Sequence, residues 1–227
     1  LHGRPRIHHR RTSIMSGSSP HPSHDRNGNG HRNRNRPQQV MTEADIRAVT
    51  IGEPTRVDGT ITLAPYDPAW PRQYAAEAAK IEAALGQRVV SLQHIGSTAV
   101  PGLCAKPIID IQLLVEDSAD EASYVGALEA AGYRLHIREP AWEEHRTFKG
   151  SDPDVNLHVF SRGSRQAERH LRFRDAIRAS DAERDRYAAT KRDLAAQSWT
   201  YTQQYADAKN DVIDEILARA GNAIPRE

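Results

Sequence analysis

The sequence has little that could staple or anchor it. Its single cysteine, Cys104, excludes an internal disulfide and any multi-cysteine zinc site, which suits a reducing compartment such as the cytoplasm. No run approaches the roughly 18 apolar residues that a membrane span needs, so no membrane partner is expected. The first forty residues lack lysine and hold one acid against eight arginines, with few large aliphatics before Val40. Such a segment has too little apolar surface to offset chain entropy, and it reads as a disordered basic extension. Met41, opening "MTEADI", reads as a plausible start, and residues 1–57 are expected to be extension and linker, with one domain over residues 58–221. The basic tail could hold nucleic acid by charge alone, yet its "HRNRNRPQQ" lacks aromatic interleaving and periodicity, and outside the tail nucleic acid is not an expected partner.

The charge of the chain is also uneven. The net charge of the whole is +1, but the first forty residues carry +7, so residues 41–227 carry −6. Any basic site in the body therefore arises against the local excess of acid.

What the body does contain is periodic. Asp67-Pro68 reads as a cap and first turn, and Trp70, Tyr74, Ala78, Ile81 and Leu85 recur at helical spacing. Strands are expected at Val89–Ile95, Pro107–Val115, Tyr133–Ile137, Arg146–Lys149 and Val155–Phe160, and "GSDPD" reads as the turn of a hairpin. Ser118 with Glu121 reads as a capping box for a helix through Tyr124 and Leu128. Three C-terminal helices follow: one with Leu171 and Ile177, one capped by Ser180 and Glu183, and one starting near Tyr201. Tyr187, Tyr205, Val212 and Ile216 are their expected core positions. The order gives an α/β (α+β) domain, a mixed sheet covered by helices with a C-terminal helical segment.

Polar chemistry concentrates in "QHIGSTAVPGLCAKPIIDIQLLV", Gln93 to Val115. Alternation puts Asp110 and Gln112 on one face of a strand whose other face is Ile109, Ile111, Leu113 and Val115. A carboxylate inside such a strand needs hydrogen bonds, an ion pair or a metal. Gly96, Ser97 and Thr98 supply a turn with hydroxyls and backbone N–H groups suited to an anion, and Lys106 adds a cation. Each has a second reading: Ser97 as a local cap, Lys106 as a surface ion pair, Asp110 as a structural acceptor and His158 as a core histidine. A P-loop is excluded, because five residues rather than four separate Gly96 from Gly102, and Leu103 follows.

From "LAPYDPAWPRQY" through "HIGSTAVPGLCAKPIIDI" and "NLHVF" to "YAATKRDLA" and "YADAKNDVIDEI", the body resembles the GrpB family of the nucleotidyltransferase superfamily, a bacterial domain also found fused to dephospho-CoA kinase. The resemblance implies a site with a Gly-Ser at a strand end, an Asp-hydrophobic-Asp on the next strand and a third acid on a later one, together holding two divalent metals. Gly96-Ser97 and Asp110 match it. Gln112 stands in place of the second acid, and Asn156 and His158 occupy the face where the third would lie.

The expectation is a protein binding a nucleotide or other phosphorylated small molecule. Gly96, Ser97, Thr98 and Lys106 would hold phosphate, and Asp110 would hold a ribose hydroxyl or one Mg²⁺ that arrives with the ligand. Asp110 and His158 are the candidate catalytic pair if nucleotidyl or phosphoryl transfer persists with one metal. Glu143, Glu144 and Asp154 are the acids that could complete a metal site. The resemblance also marks Lys191 and Lys209. A third reading is an accessory module acting on a protein such as dephospho-CoA kinase.

Overall fold

The computed structural model describes residues 40–222. The basic extension of residues 1–39 lies outside them.

The body begins earlier than the sequence pattern indicates. Thr42 caps helix α1 (Glu43–Val49) through a reciprocal capping box with Asp45, and Ile46 is buried. Strand β1 (Arg56–Gly59) then pairs antiparallel with β7 (Trp199–Tyr201). Within the stretch expected to be linker, residues 43–49 thus form a helix and 56–57 begin a strand, which corrects that assignment. Ile61 continues in extended form, its N–H donating to the Ala195 carbonyl, and Ala64 bridges to Ala105.

Helix α2 (Trp70–Leu85) starts two residues later than Asp67-Pro68 suggests, with Pro71 inside its first turn. The N-cap is Ala69 without a side-chain cap, so Asp67 does not cap the helix; it accepts from the Ala69 N–H at 2.8 Å in the turn before it. The main sheet then assembles from β2 (Ser91–Ile95), β3 (Ile109–Val115), β4 (Arg134–Glu139), β5 (His145–Gly150) and β6 (Val155–Ser161). Their order is β2-β3-β6-β5-β4, with β3 and β6 parallel and the other neighbours antiparallel, so the sheet is mixed.

Alternation divides the sheet into two faces. Ile109, Ile111, Leu113 and Val115 of β3, with Leu157 and Val159 of β6 and Phe148 of β5, pack on Ile81 and Leu85 of α2 and on Leu128 of the short helix α3 (Val125–Ala130). The Ser118–Glu121 capping box does not form at α3. Ser118 instead bonds Ser161 at 2.9 Å, and Glu121 takes Arg138 at 2.6 Å and Arg146 at 2.5 Å, tying β4 and β5 to the loop before α3.

The opposite face carries the polar residues, and the C-terminal helices cover it: α4 (Arg165–Ala179), α5 (Asp181–Ala195), α6 (Thr202–Asp207) and α7 (Asn210–Asn222). Ser180 caps α5 as expected, accepting from the Glu183 N–H at 3.3 Å. The third C-terminal helix is instead two, and Tyr201 sits in β7, where pairing with β1 overrides its helical spacing. Val100 and Leu103, from the loop after β2, join Ile177, Tyr187, Val212 and Ile216 in a second apolar cluster. That cluster clamps α4, α5 and α7 onto the loop carrying Gly96 and Ser97. No helix among the described residues is long and apolar enough to cross a membrane.

Candidate functional site

The site forms where β2 ends. Gly96 has φ +68°, and a Cβ built there would lie 2.4 Å from Asp110 Oδ2. Only glycine lets the backbone turn this close to the carboxylate. Ser97 opens a short 3-10 turn, Ser97–Ala99. Thr98, the second hydroxyl of the motif, faces inward: it accepts from His94 Nε2 at 3.0 Å, donates to the Ile108 carbonyl at 3.3 Å and is 1% exposed. The Thr98 side chain is therefore a brace between β2 and β3 and does not line the site, which corrects its assignment as a phosphate ligand.

Parallel pairing of β3 with β6 sets Asp110 beside Asn156 and Gln112 beside His158. Asn156 donates to Asp110 Oδ1 at 2.7 Å and itself accepts from Lys149 Nζ at 2.5 Å. His158 Nε2 lies 3.8 Å from Asp110 Oδ1, and both side chains are about a quarter exposed, 23% and 27%. Burial raises the Asp110 pKa, but the hydrogen bonds of His158 and Asn156 and the charge of Lys209 outweigh it, leaving the group below the ordinary value. Asp110 is thus an ionised, partly exposed carboxylate.

Four lysines share that carboxylate's field. Lys191, from α5, donates to Ser97 Oγ at 2.8 Å and to the Cys104 carbonyl, and it is 2% exposed. Burial, with the neighbouring charge of Lys209, lowers its pKa to about 7. Burial likewise lowers Lys209 to about 8, opposed by Asp110. Lys106 and Lys149 are also lowered by burial, while Asp110 and Asp154 pull both back up. Lys106 lies within reach of the Asp110 charge. Lys191 touches Ser97 directly, so α5 does more than cover the sheet.

A layer of imidazoles fills the same face. His170 of α4 donates through Nδ1 to Gln112 Oε1 at 3.1 Å, leaving the buried Gln112 Nε2 without a partner. His145 of β5 bonds His158 at 3.1 Å through Nε2 and Glu139 at 2.7 Å through Nδ1. Burial lowers His145 well below the usual histidine value and His170 to about 3, so both stay neutral at physiological pH. Burial raises Glu139, which His158 partly offsets.

These donors do not fit a paired divalent site. Asp110 lies in the field of four lysines, with Asp154 and Asp207 each acting on some of them, and its strand neighbours are the amides of Asn156 and Gln112, the latter presenting an N–H donor where a second acid would stand. Glu143 is engaged at the N-terminus of α4, accepting from Ser164 Oγ at 2.6 Å, and Glu144 pairs with Arg146 at 3.1 Å. Asp154 alone of the three further acids lies near, acting on Lys106 and Lys149. No cluster of three metal-binding side chains occurs among the described residues.

Sequence reasoning missed His145, His170, Glu139 and Lys149. Each reaches the site through strand pairing or helix packing distant in the chain. The only local signal was one histidine on each of two strands, in "EEHRTFK" and "NLHVF".

The family model described as GrpB protein matches residues 60–219. A UPF0157 protein of Halalkalibacterium halodurans is 53% identical over 79% of this chain and 92% of its own length. A UPF0157 protein of Streptomyces coelicolor is 43% identical over 79% of this chain and 94% of its own. A relative named dephospho-CoA kinase in Mycolicibacterium paratuberculosis is 31% identical over 82% of this chain but only 52% of its own length. The crystal structure of the conserved protein GrpB from Enterococcus faecalis overlays with a TM-score of 0.61 and 29% identity, covering 70% of this chain and 98% of that one. The Cid1 poly(U) polymerase bound to MgATP overlays at a TM-score of 0.38 with 12% identity, over 56% of this chain and 45% of that one.

Proposed function

Starting from the fact that the chain belongs to the GrpB family, we propose that it binds a nucleotide or other phosphorylated small molecule over the sheet edge where the Gly96-Ser97 turn meets Asp110. Lysine charge, rather than a pair of metals, holds the phosphates in this reading. The observation that carries it is the convergence of Lys106, Lys149, Lys191 and Lys209 on one carboxylate in a body whose net charge is −6. Buried lysines with depressed pKa values lack an anionic partner equal to their number, and a phosphate chain supplies it. Ser97 and the backbone of Gly96 orient the terminal phosphate, and Asp110 accepts a ribose or acceptor hydroxyl. A Mg²⁺ carried on the ligand's own phosphates can reach Asp110, but it is not what holds the ligand.

Thermal shift with a panel of nucleotides, pyrophosphate and inorganic phosphate tests this reading. A ligand at a hundred times its dissociation constant adds about 2.7 kcal/mol of stability. The proposal expects such a shift from at least one phosphate-bearing compound, reduced in Lys191→Met. No shift with any of them, at millimolar concentration, contradicts it.

A second reading has its own observation. The relatives named dephospho-CoA kinase, in Mycolicibacterium paratuberculosis and Mycobacterium bovis, match over 52% and 45% of their lengths, so in those chains a domain like this one shares a polypeptide with other sequence. In this reading the domain acts by contact with a kinase. Mixing the purified proteins and measuring association by calorimetry separates this reading from the first, since it requires no phosphate ligand.

A further inference from the structure

We propose that a pocket at the β4 edge of the sheet receives the amino-bearing edge of a heterocyclic base, so that the phosphate ligand is a nucleotide carrying such a base. The assignment rests on the phosphate reading of the Gly96-Ser97 turn and adds the other end of the molecule. A row of polar side chains joins the two places. Strand register puts Asp110 beside Asn156 and Asn156 beside Lys149. Asn156 donates to Asp110 Oδ1 at 2.7 Å and accepts from Lys149 Nζ at 2.5 Å. All three residues are partly exposed, which leaves the row open to a ligand lying along it. Two strand spacings of about 4.8 Å set the Lys149 backbone roughly 10 Å from that of Asp110, a span that a ribose and its phosphates cover. Lys149 itself lines the pocket.

The walls of the pocket are fixed by backbone contacts. Thr50 bridges to Ile137, and the Ile51 N–H donates to the His136 carbonyl at 2.7 Å, which straps the end of α1 to β4. On the other side the Thr202 N–H donates to the Thr55 carbonyl at 3.0 Å and holds the turn from β7 into α6. Ile46 and Val49 offer apolar surface to a flat ring. The pocket is open to solvent on one side, so it takes the edge of a ring and does not enclose it.

Its polar lining selects the chemistry of that edge. Glu139 meets His145 at 2.7 Å through Oε2, and Gln203 donates to Asp207 at 2.8 Å through Nε2. Each keeps its Oε1 as an acceptor with no hydrogen bond among the described residues, and both residues line the pocket. His136 is 5% exposed, with Nε2 3.3 Å from Thr55 Oγ1 and a buried Nδ1 that has no hydrogen-bond partner among the described residues. A buried ring nitrogen is ordinarily satisfied, and the pocket that His136 lines is where a ligand group meets it. Two acceptor oxygens suit the two N–H groups of an exocyclic amine, and Lys149 is a donor for a ring nitrogen or carbonyl beside it. A base edge flanked by carbonyls, as in uracil, sets oxygen against oxygen and is disfavoured.

The test is calorimetric titration of the full chain with ATP, CTP, UTP and tripolyphosphate, with Mg²⁺ present throughout so that the outcome does not turn on what holds the phosphates. ATP and CTP are expected to bind about tenfold tighter than tripolyphosphate, the effect of one added hydrogen bond, and UTP to bind like tripolyphosphate. Val49→Trp, which fills the pocket from a half-buried position, and Gln203→Ala, which removes one acceptor, are each expected to abolish that gain and to leave tripolyphosphate affinity unchanged. Equal binding of all four compounds overturns the base assignment and leaves the phosphate reading standing. A gain shared by UTP, or one kept in both variants, also overturns it. No binding by any of the four overturns this assignment and the phosphate reading together.

Discussion

Gly96 is the residue with least room to change. Its φ is +68°, and any Cβ would overlap the Asp110 carboxylate at 2.4 Å. Gly96→Ala is predicted to cost about 1–3 kcal/mol of stability, from left-handed strain and displacement of Asp110. Urea unfolding measures it, and an unchanged midpoint means that Asp110 is free to swing away. Lys191 has the opposite character. It is a charge held in the interior with a pKa near 7, so Lys191→Met is predicted to raise stability while weakening phosphate binding at least tenfold. The binding estimate follows from a charge-assisted hydrogen bond worth about 1.5–3 kcal/mol. If Lys191→Met binds nucleotide as tightly as wild type in calorimetry, this lysine serves only the fold.

At the scale of elements, the sheet's polar face is usable because α4, α5 and α7 are fixed over it by a small apolar cluster. Ile216 is its fully buried centre, among Val100, Leu103, Ile177, Tyr187 and Val212. Ile216→Ala is predicted to destabilise by about 2–5 kcal/mol, the cost of lost transfer and the cavity left behind. Chemical denaturation checks it, and a loss under 1 kcal/mol means the helices are held elsewhere. Much of this architecture was legible. The alternation of Ile109, Ile111, Leu113 and Val115 against Asp110 and Gln112 forecast which face of β3 is core, and Ser180 with Glu183 forecast the start of α5. Thr42 and Asp45 carried a readable capping signal just outside the expected domain, so α1 was legible but unread. The splitting of α6 from α7 was not, because it depends on β7 pairing with β1, about 145 positions away between Arg56 and Tyr201. The Glu139–His145–His158 line was equally hidden. Side chains on three strands meet only once the sheet's order and register exist, and neither follows from local pattern. Asp110 and Lys106 were found from their strand and turn, whereas Lys191 and Lys149 needed the tertiary fold to reach Ser97 and Asn156.

Over the whole molecule, the buried lysines link stability to pH. Lys191 and Lys209 have folded pKa values of about 7 and about 8, below the roughly 10.4 of an unfolded lysine. Between those values the unfolded chain binds more protons than the folded one, so stability rises with pH through that window. Below pH 7 both states are protonated and the penalty of the buried charges is fully present. Each group contributes a slope of at most about 1.4 kcal/mol per pH unit. Unfolding free energies from pH 7 to pH 10 should therefore climb in wild type and climb less in Lys191→Met; parallel curves contradict the assignment. The same lysines underlie the central claim, that this site holds phosphate by lysine charge and not by paired metals. Calorimetric titration of the wild-type protein with a nucleoside triphosphate in EDTA, repeated with Mg²⁺, tests it most directly. The account predicts binding in EDTA that weakens as pH rises through 7 to 8, when Lys191 and Lys209 lose their protons, and Mg²⁺ changing the affinity by no more than a few fold. Binding that appears only with Mg²⁺ contradicts it.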